Sequence, residues 1–372
     1  MTQRKKLIFL SLLVFVIVLY SLFSKKYTGI NFAGAAIQRE LSSQELEAFH
    51  FLLDKMQNEN GLFYSWVEPE KKSDDVLLEA MGQSMEYFAL LGDKRLLEHY
   101  MEITNHYFIS ARGYYFWNID IESKSSKYYV TAFVDDLRLA KAYFIFRSNY
   151  PESYNRQLRI LSNKIYKFNV DKNKYPCDFY DSKMKQKSNE LSLFYIDVET
   201  LQNLSIFDKK WSLPYTNALS VLTLAPENEN GFYPKNFKIN EQDYCWEDPV
   251  NMVENLYTAI NAFHAGKDTS KFVDFLKEQI NKGIIYNKYN LTGSGATEDE
   301  SASIYALAAR FLHLNKEEEA ARWCYEKTLL FQITEKSPFS GGFGDEESGS
   351  VYSFNHLETL LMFRHLDIQN KN

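Results

Sequence analysis

"GLFYSWVEPEKKSDDVLLEAMGQSMEY", residues 61–87, runs from a glycine–aromatic turn through a polar loop into an apolar helix. Ahead of it, Ser42-Ser43-Gln44-Glu45 offers a helix cap before an apolar stripe at Leu46, Phe49, Leu52, Leu53 and Met56, and Asn60-Gly61 closes that helix. The same kind of turn recurs as "GYYFWNID" (113–120), "NGFYPKNF" (230–237) and "GGFGDEESG" (341–349), each leading into a further helical segment. After the opening helix, apolar periodicity predicts helices near 78–91, 93–111, 131–147, 151–168, 190–204, 211–224, 249–265, 269–284, 299–313, 316–331 and 352–366. Long connections at 61–77, 113–130, 175–188, 226–248, 286–298 and 338–351 alternate with short ones such as Gly92-Asp93 and the stretch around Asn315. Six long loops alternating with six short ones predict six helical hairpins. The expected fold is therefore all-α, an (α/α)6 toroid with the long loops gathered on one face around a cleft. A linear helical solenoid would give a similar weak repeat and stays open at this level.

The 372-residue chain is 45% hydrophobic and 24% charged, a composition able to bury a large core. Aromatics reach 16%, which suits both a helical core and a sugar-binding cleft, since apolar sugar faces stack on rings while tyrosine hydroxyls bond their edges. The net charge of −7, with no basic stretch beyond the extreme N-terminus, excludes nucleic acid as an expected partner. Cys177, Cys245 and Cys324 are odd in number and form no CxxC pair, and the seven histidines show no metal-ligand spacing. Neither a metal site, a disulfide framework nor a cofactor is expected.

The first 26 residues form a unit of their own. Arg4, Lys5 and Lys6 precede an apolar run from Leu7 to Phe23, which Lys25 and Lys26 close. This predicts a cytoplasmic tip and membrane anchor over 1–26, a linker over 27–41 and the helical domain over 42–372. The chain would then be a single-pass cell-membrane protein with its C-terminal domain extracellular. A cleaved signal peptide, giving a secreted protein, is the alternative. No cysteine follows the run, which excludes a bacterial lipoprotein anchor as an expectation.

Several acids and aromatics fall where long loops meet helices. Glu79 opens the second helix, where partial burial would suit a general acid and solvent exposure would make it a mere dipole partner. Asp135 and Asp136 open the fourth helix in "YYVTAFVDDLRLAKAY", either as caps or as sugar-binding carboxylates, and Trp117 stands before them as a candidate stacking platform. Tyr64 and Trp66 occupy the first long loop and are further candidates for substrate contact. Glu254, Glu298–Glu300 and Asp345–Glu347 read as rim charges, and such an acidic rim favours neutral or cationic glycans.

Glu79, Met85 six residues on, Trp117 thirty-eight residues on, and the Asp136-Leu137 pair together resemble glycoside hydrolase family 8. That family carries a Glu-Gly-Gln-x-Tyr-Gly-Met segment, then a tryptophan, then a helix opening with Asp-Leu. Here "EAMGQSM" keeps the first and last residues of the segment, and Gly82-Gln83 echoes it in a shifted register. The resemblance spans the whole toroid in helix order, at a distance. It implies an (α/α)6 barrel, an inverting mechanism and β-linked, glucan-like substrates. It puts Glu79 in the general-acid place, Asp136 in that of the central sugar-binding carboxylate, and Trp117 at a subsite. The family's general base opens the eighth helix in an Asp-Ala-x-Arg setting, which "EQDYCWEDPVNMVENLYTAI" lacks. Asp248 is the first candidate for that role and Asp243 the second. Asn251 could occupy the equivalent place, in which case Asp197 becomes a candidate. The expected protein is thus an extracytoplasmic glycosidase acting on an exopolysaccharide, with an exopolysaccharide synthase complex as a candidate partner. A catalytically silent glycan-binding toroid that assists synthesis or export is the second expectation. A polysaccharide lyase or an α-mannosidase is a third; the histidines avoid the long loops, which disfavours the lyase.

Overall fold

The computed structural model describes residues 41–126, 128–150, 154–334 and 337–366. The segment expected as an anchor lies outside them, and no helix among the described residues is long and apolar enough to cross a membrane. Twelve helices run through the described residues: α1 (Ser43–Asp54), α2 (Leu78–Leu91), α3 (Lys94–Tyr107), α4 (Phe133–Asn149), α5 (Asn155–Asn169), α6 (Val198–Phe207), α7 (Ser212–Leu224), α8 (Met252–His264), α9 (Ser270–Lys282), α10 (Ala302–Leu314), α11 (Glu318–Leu329) and α12 (Ser353–His365).

Local chemistry sets several of their ends. The Ser42 hydroxyl accepts from the Glu45 amide and caps α1, and Asp93 caps α3 through the amides of Arg95 and Leu96. Gly92 ends α2 at φ 74°, a left-handed conformation that costs glycine little. The sixth helix begins later than the apolar pattern predicts. Glu190–Ser192 is drawn into a strand beside Asn236–Lys238, Leu193–Tyr195 forms a single 3-10 turn, and Asp197 caps α6 by accepting from the Thr200 amide. Strand pairing with the next loop overrides helix propensity there.

The even-numbered helices form an inner ring. α2 packs on α4, α4 on α6, α6 on α8, α8 on α10, α10 on α12, and α12 returns to α2. This last contact closes the circle and rules out the open solenoid. The odd-numbered helices lie outside: α1 packs on α12, α3 on α2, α5 on α4, α7 on α6 and α11 on α10, while α9 packs on α11 and meets α10 where Phe272 touches Phe311. Burial follows: α10 is buried at every residue from Ala302 to Leu312, whereas α9 shows the core only Phe272, Val273, Phe275, Leu276 and Gln279. Aromatics fill the space between the rings, as where Phe63 stacks on Tyr100 at 5.0 Å and Phe88 meets the same ring at 4.9 Å.

Short antiparallel pairings stitch the long loops to one another. Asp75–Leu77 pairs with Asn118–Asp120, and Trp66–Val67 with Val351–Tyr352, joining the first loop to the last. The third loop pairs with the fourth through Glu190–Ser192 and Asn236–Lys238, and the fourth with the fifth through Val250–Asn251 and Lys288–Tyr289. One face of the toroid therefore becomes a firm collar around the axis.

Candidate active site

A cavity of about 460 Å³ opens inside this collar on the ring axis. Glu79 stands in the first turn of α2, fixed beside Trp117 because the Leu78 amide donates to the Trp117 carbonyl at 2.8 Å. The Trp117 ring stacks on Tyr128 with centroids 5.4 Å apart, so a flat apolar surface borders the carboxylate. Across the α2–α4 contact, Arg138 Nη1 donates to Glu79 Oε1 and to Asp135 Oδ1, each at 2.9 Å. Gly82 makes this approach possible. A Cβ there would come within 2.8 Å of the Arg138 Cβ, so a larger residue would push α4 and its guanidinium away.

The polar network continues through the ring. Arg138 Nη2 lies 3.4 Å from the Tyr257 hydroxyl, which donates to Glu358. Glu358 is fully buried and also accepts from Gln83 Nε2 at 2.6 Å and Arg310 Nη1 at 2.9 Å. Five of the six inner helices thus hold the cavity floor in place, and buried carboxylates with several donors keep a fixed geometry.

Two more carboxylates line the cavity: Asp178, from the loop between α5 and α6, and Glu254, in the first turn of α8. Asp178 Oδ1 accepts from the Ser192 amide at 2.6 Å and Oδ2 from the Ser192 hydroxyl at 2.7 Å. Burial nevertheless pushes its carboxyl up to about 7, with Glu190 and Glu254 adding to the effect. Burial likewise pushes Asp135 up to about 7, against the pull of Arg138 and with the help of Glu79. Glu254 is raised by burial, while Lys235 at 3.6 Å opposes the shift. Phe179, Phe194 and Phe354 complete apolar walls among these acids. Apolar faces with carboxylates at their edges match the faces and hydroxyls of a sugar ring. Among the described residues, no group of three or more His, Cys, Asp or Glu is placed to hold a metal ion.

Of the residues singled out in the sequence, the cavity gathers Glu79, Trp117 and Asp135, together with Glu254, which the sequence reads as a rim charge and the structure places in the cavity wall. Asp136 is not among its lining residues. Successive helix positions point about 100° apart, so when Asp135 and Arg138 face the axis, Asp136 faces the outer layer. It is buried there near Tyr115 and Lys164, with Oδ1 unpaired, and burial first and Asp135 second raise its carboxyl well above the usual range. Asp248 does not line the cavity either. It is exposed four residues before α8 begins and accepts from the Leu291 amide in the next loop at 3.3 Å. Asn251 caps α8, accepting from the amides of Val253 and Glu254. Asp243 is exposed on a strand and bonds its neighbour's amide. Asp197 caps α6 and faces a second chamber below. Tyr64, with Lys72 over its ring at 4.8 Å, and Trp66, paired with Tyr352, belong to the collar but not to the cavity lining. The sequence reading passed over Arg138, Asp178, Tyr195 and Tyr257. Arg138 had a signal, since it lies three residues after Asp135 on the same helix face; Asp178, in an irregular loop, had none.

No family model matches the chain. The protein named "Putative lipoprotein YdaJ" of Bacillus subtilis (strain 168) is 26% identical over 339 residues, which is 89% of this chain and 90% of that protein. A solved structure described as a novel alpha-amylase from Clostridium perfringens superposes with a TM-score of 0.79 at 26% identity, covering 88% of this chain and 100% of the other. A GH8 xylobiose complex from Teredinibacter turnerae superposes at 0.58 with 13% identity, over 87% and 91% of the two chains. The molecule is a closed toroid of helical hairpins, and its fold is that of the glycoside hydrolase family 8 structure.

Proposed function

We propose that this chain is a glycoside hydrolase that cleaves a polysaccharide outside the cytoplasm, with Glu79 as the proton donor to the leaving oxygen. The observation that carries this is the single cavity in which Glu79, the Trp117 ring and three further carboxylates converge on the axis of a glycosidase-type toroid. Glu79 keeps about a quarter of its side chain exposed, 28%, and so can reach a substrate oxygen while its other side is held by Arg138. Inversion is the proposed stereochemical outcome, by resemblance to the family. The linkage stays open between the two solved relatives, one named for α-amylase activity and the other bound to xylobiose. The relative named as a lipoprotein and the apolar run over Leu7–Phe23 both support a protein held at the outer side of a membrane, where it would meet polymer during synthesis or export.

The test is reducing-end release from amylose, mixed-linkage β-glucan, xylan, chitosan and poly-N-acetylglucosamine, by wild type and by Glu79→Gln. Release by wild type that the variant loses supports the proposal; equal release by both removes Glu79 from the mechanism. The second reading, a silent glycan binder, draws on the absence of Asp-Ala-x-Arg at α8, where Asn251 serves as a cap. Binding of one of these polymers without release from any would favour it.

A further inference from the structure

We propose that Asp178 is the carboxylate that activates the attacking water, making it the second catalytic residue of the site. This rests on the hydrolase reading with Glu79 as acid, and it fills the place that neither Asp248 nor an eighth-helix aspartate occupies. In an inverting hydrolase the two carboxyl groups stand roughly 6.5–9.5 Å apart, leaving room for a water against the far face of the sugar.

Asp135 fails that requirement. Its oxygen and that of Glu79 each lie 2.9 Å from the same Arg138 nitrogen, so the two oxygens are no more than twice that distance apart. Both also sit on one side of the cavity, on the packed pair α2 and α4. Glu254 faces Lys235 at 3.6 Å, and that lysine also holds Glu247 at 2.8 Å, an arrangement that draws its charge toward the rim. Asp178 differs from both. It has no cation partner among the described residues, and it reaches the cavity from the loop before α6.

Its aim is fixed by four hydrogen bonds. Ser192 bonds one carboxylate oxygen through its amide and the other through its hydroxyl. The Asp178 backbone bonds the Glu190 carbonyl at 2.9 Å, and its own carbonyl accepts from Phe133, the first residue of α4, at 2.8 Å. Each carboxylate oxygen keeps a lone pair for a water proton. Tyr195 lines the same cavity, where burial raises its hydroxyl and Asp135, Asp178 and Glu79 add to the shift. Glu79 enters this cavity from α2 and Asp178 from the loop before α6, so a substrate held there would meet both carboxylates. A carboxyl pushed up to about 7 is matched to accepting a proton near neutral pH.

The step balances within the site. The water oxygen forms a bond to the anomeric carbon as one of its protons passes to Asp178. The bond from that carbon to the leaving oxygen breaks, and that oxygen takes the proton of Glu79. Exchange with solvent then returns Asp178 to its ionised form and Glu79 to its protonated one.

The experiment uses a polymer that wild type degrades and an oligosaccharide of the same sugar carrying a nitrophenolate leaving group. Asp178→Asn should lower kcat about 100-fold or more with little change in KM. Azide should restore turnover to Asp178→Ala and yield a glycosyl azide, whereas Glu79→Gln should recover instead on the nitrophenolate substrate. Circular dichroism and melting of each variant separate lost chemistry from lost fold, which neither azide nor the leaving group could repair. Loss of activity in Glu79→Gln, with Asp178→Asn within threefold of wild type, overturns the assignment alone. Azide rescue confined to Glu254→Ala does the same and transfers the role to Glu254. A wild type that releases sugar from no polymer overturns the hydrolase reading and this assignment together.

Discussion

Two chambers lie on the same axis, one inside the long-loop collar and one beneath it toward the short loops, and they use similar residues to opposite ends. The lower chamber, about 330 Å³, shares Val134, Arg138, Phe194 and Tyr257 with the upper and continues with Glu86, Lys141, Asp197, Arg310 and three histidines. Glu79 and Glu86 show the contrast on one helix, two turns apart. Glu79 shares the single cation Arg138 with Asp135. Glu86 lies between Lys141 at 3.0 Å and His365 at 3.6 Å. Burial works against the charged form of Glu86, yet these partners hold its carboxyl far below the usual range. Asp197 is tied to Lys141, Glu199 to His264 and Glu358 to Arg310. Above, Asp135 and Asp178 are pushed up to about 7. Below, Glu86 is held as an ion by its partners, which suits a scaffold. Above, Asp135 and Asp178 sit near the edge of protonation, which suits proton transfer.

The largest expected effect tests this division directly. Glu79→Gln should lower kcat on the responsive polymer by about 100- to 10,000-fold with little change in melting temperature. Glu86→Gln should do the reverse, lowering the melting temperature while kcat stays within a few-fold, because it strips Lys141 and His365 of their shared anion. If both variants lost activity equally at unchanged stability, the chambers would not differ in role. Next in size is Arg310→Met. It leaves the buried Glu358 without its cation, and removing one partner of a buried pair costs about 3–5 kcal/mol. The lower end is expected, because Gln83 and Tyr257 still donate to Glu358. The shift of the urea midpoint measures it.

A smaller effect concerns pH. The Asp178 carboxyl titrates near 7 in the folded chain, against an ordinary value of about 3.9. Below about pH 4 both folded and unfolded chains hold the proton, and the residue contributes nothing. As the pH rises from 4 to 7 the unfolded chain releases its proton first, so stability falls over that window and stays reduced above it. Asp178→Asn removes this cost. It should melt with wild type at pH 4 and a few degrees higher at pH 8, by differential scanning calorimetry. Equal melting at both values would mean the carboxylate is better solvated than its surroundings imply.

Much of the fold could be read from the chain because it rests on local signals. Glycine–aromatic turns, caps such as Ser42 and Asp93, and apolar stripes of period 3.6 each act within a few residues. The alternation of long and short connections then leaves few ways to pack six hairpins. Closure could not be read that way, since the contact of α12 with α2 joins residues more than 260 positions apart. The site was legible only where it lies on helices or, for Trp117, beside a glycine–aromatic turn. Glu79 and Trp117 were placed by spacing, and Asp135 was weighed beside Asp136, but which of the two faces the axis depends on the rotation of α4 against α2. Gly82 and Arg138 set that rotation by meeting across the two helices. Asp178 sits where backbone bonds to Glu190 and Phe133 decide its position, and such long-range pairing leaves no periodic trace.

The smallest expected effect falls on the residue the sequence favoured most as general base. Asp248 precedes Pro249, and a proline after an acid invites the reading of a helix entrance. The chain instead adds the short strand Val250–Asn251 and begins α8 at Met252, capped by Asn251. Asp248 is left exposed on the collar with one contact to the Leu291 amide, away from the walls that raise Asp178 and Glu254. An exposed carboxylate in that setting has no place against the sugar. Asp248→Asn should therefore keep kcat and KM within about twofold of wild type and change stability by no more than about 0.5 kcal/mol, since asparagine can accept from the same amide. A loss of 100-fold would mean that the fourth and fifth loops fold inward over bound polymer and carry Asp248 to the substrate. The water-activating role would then pass from the cavity wall to the collar.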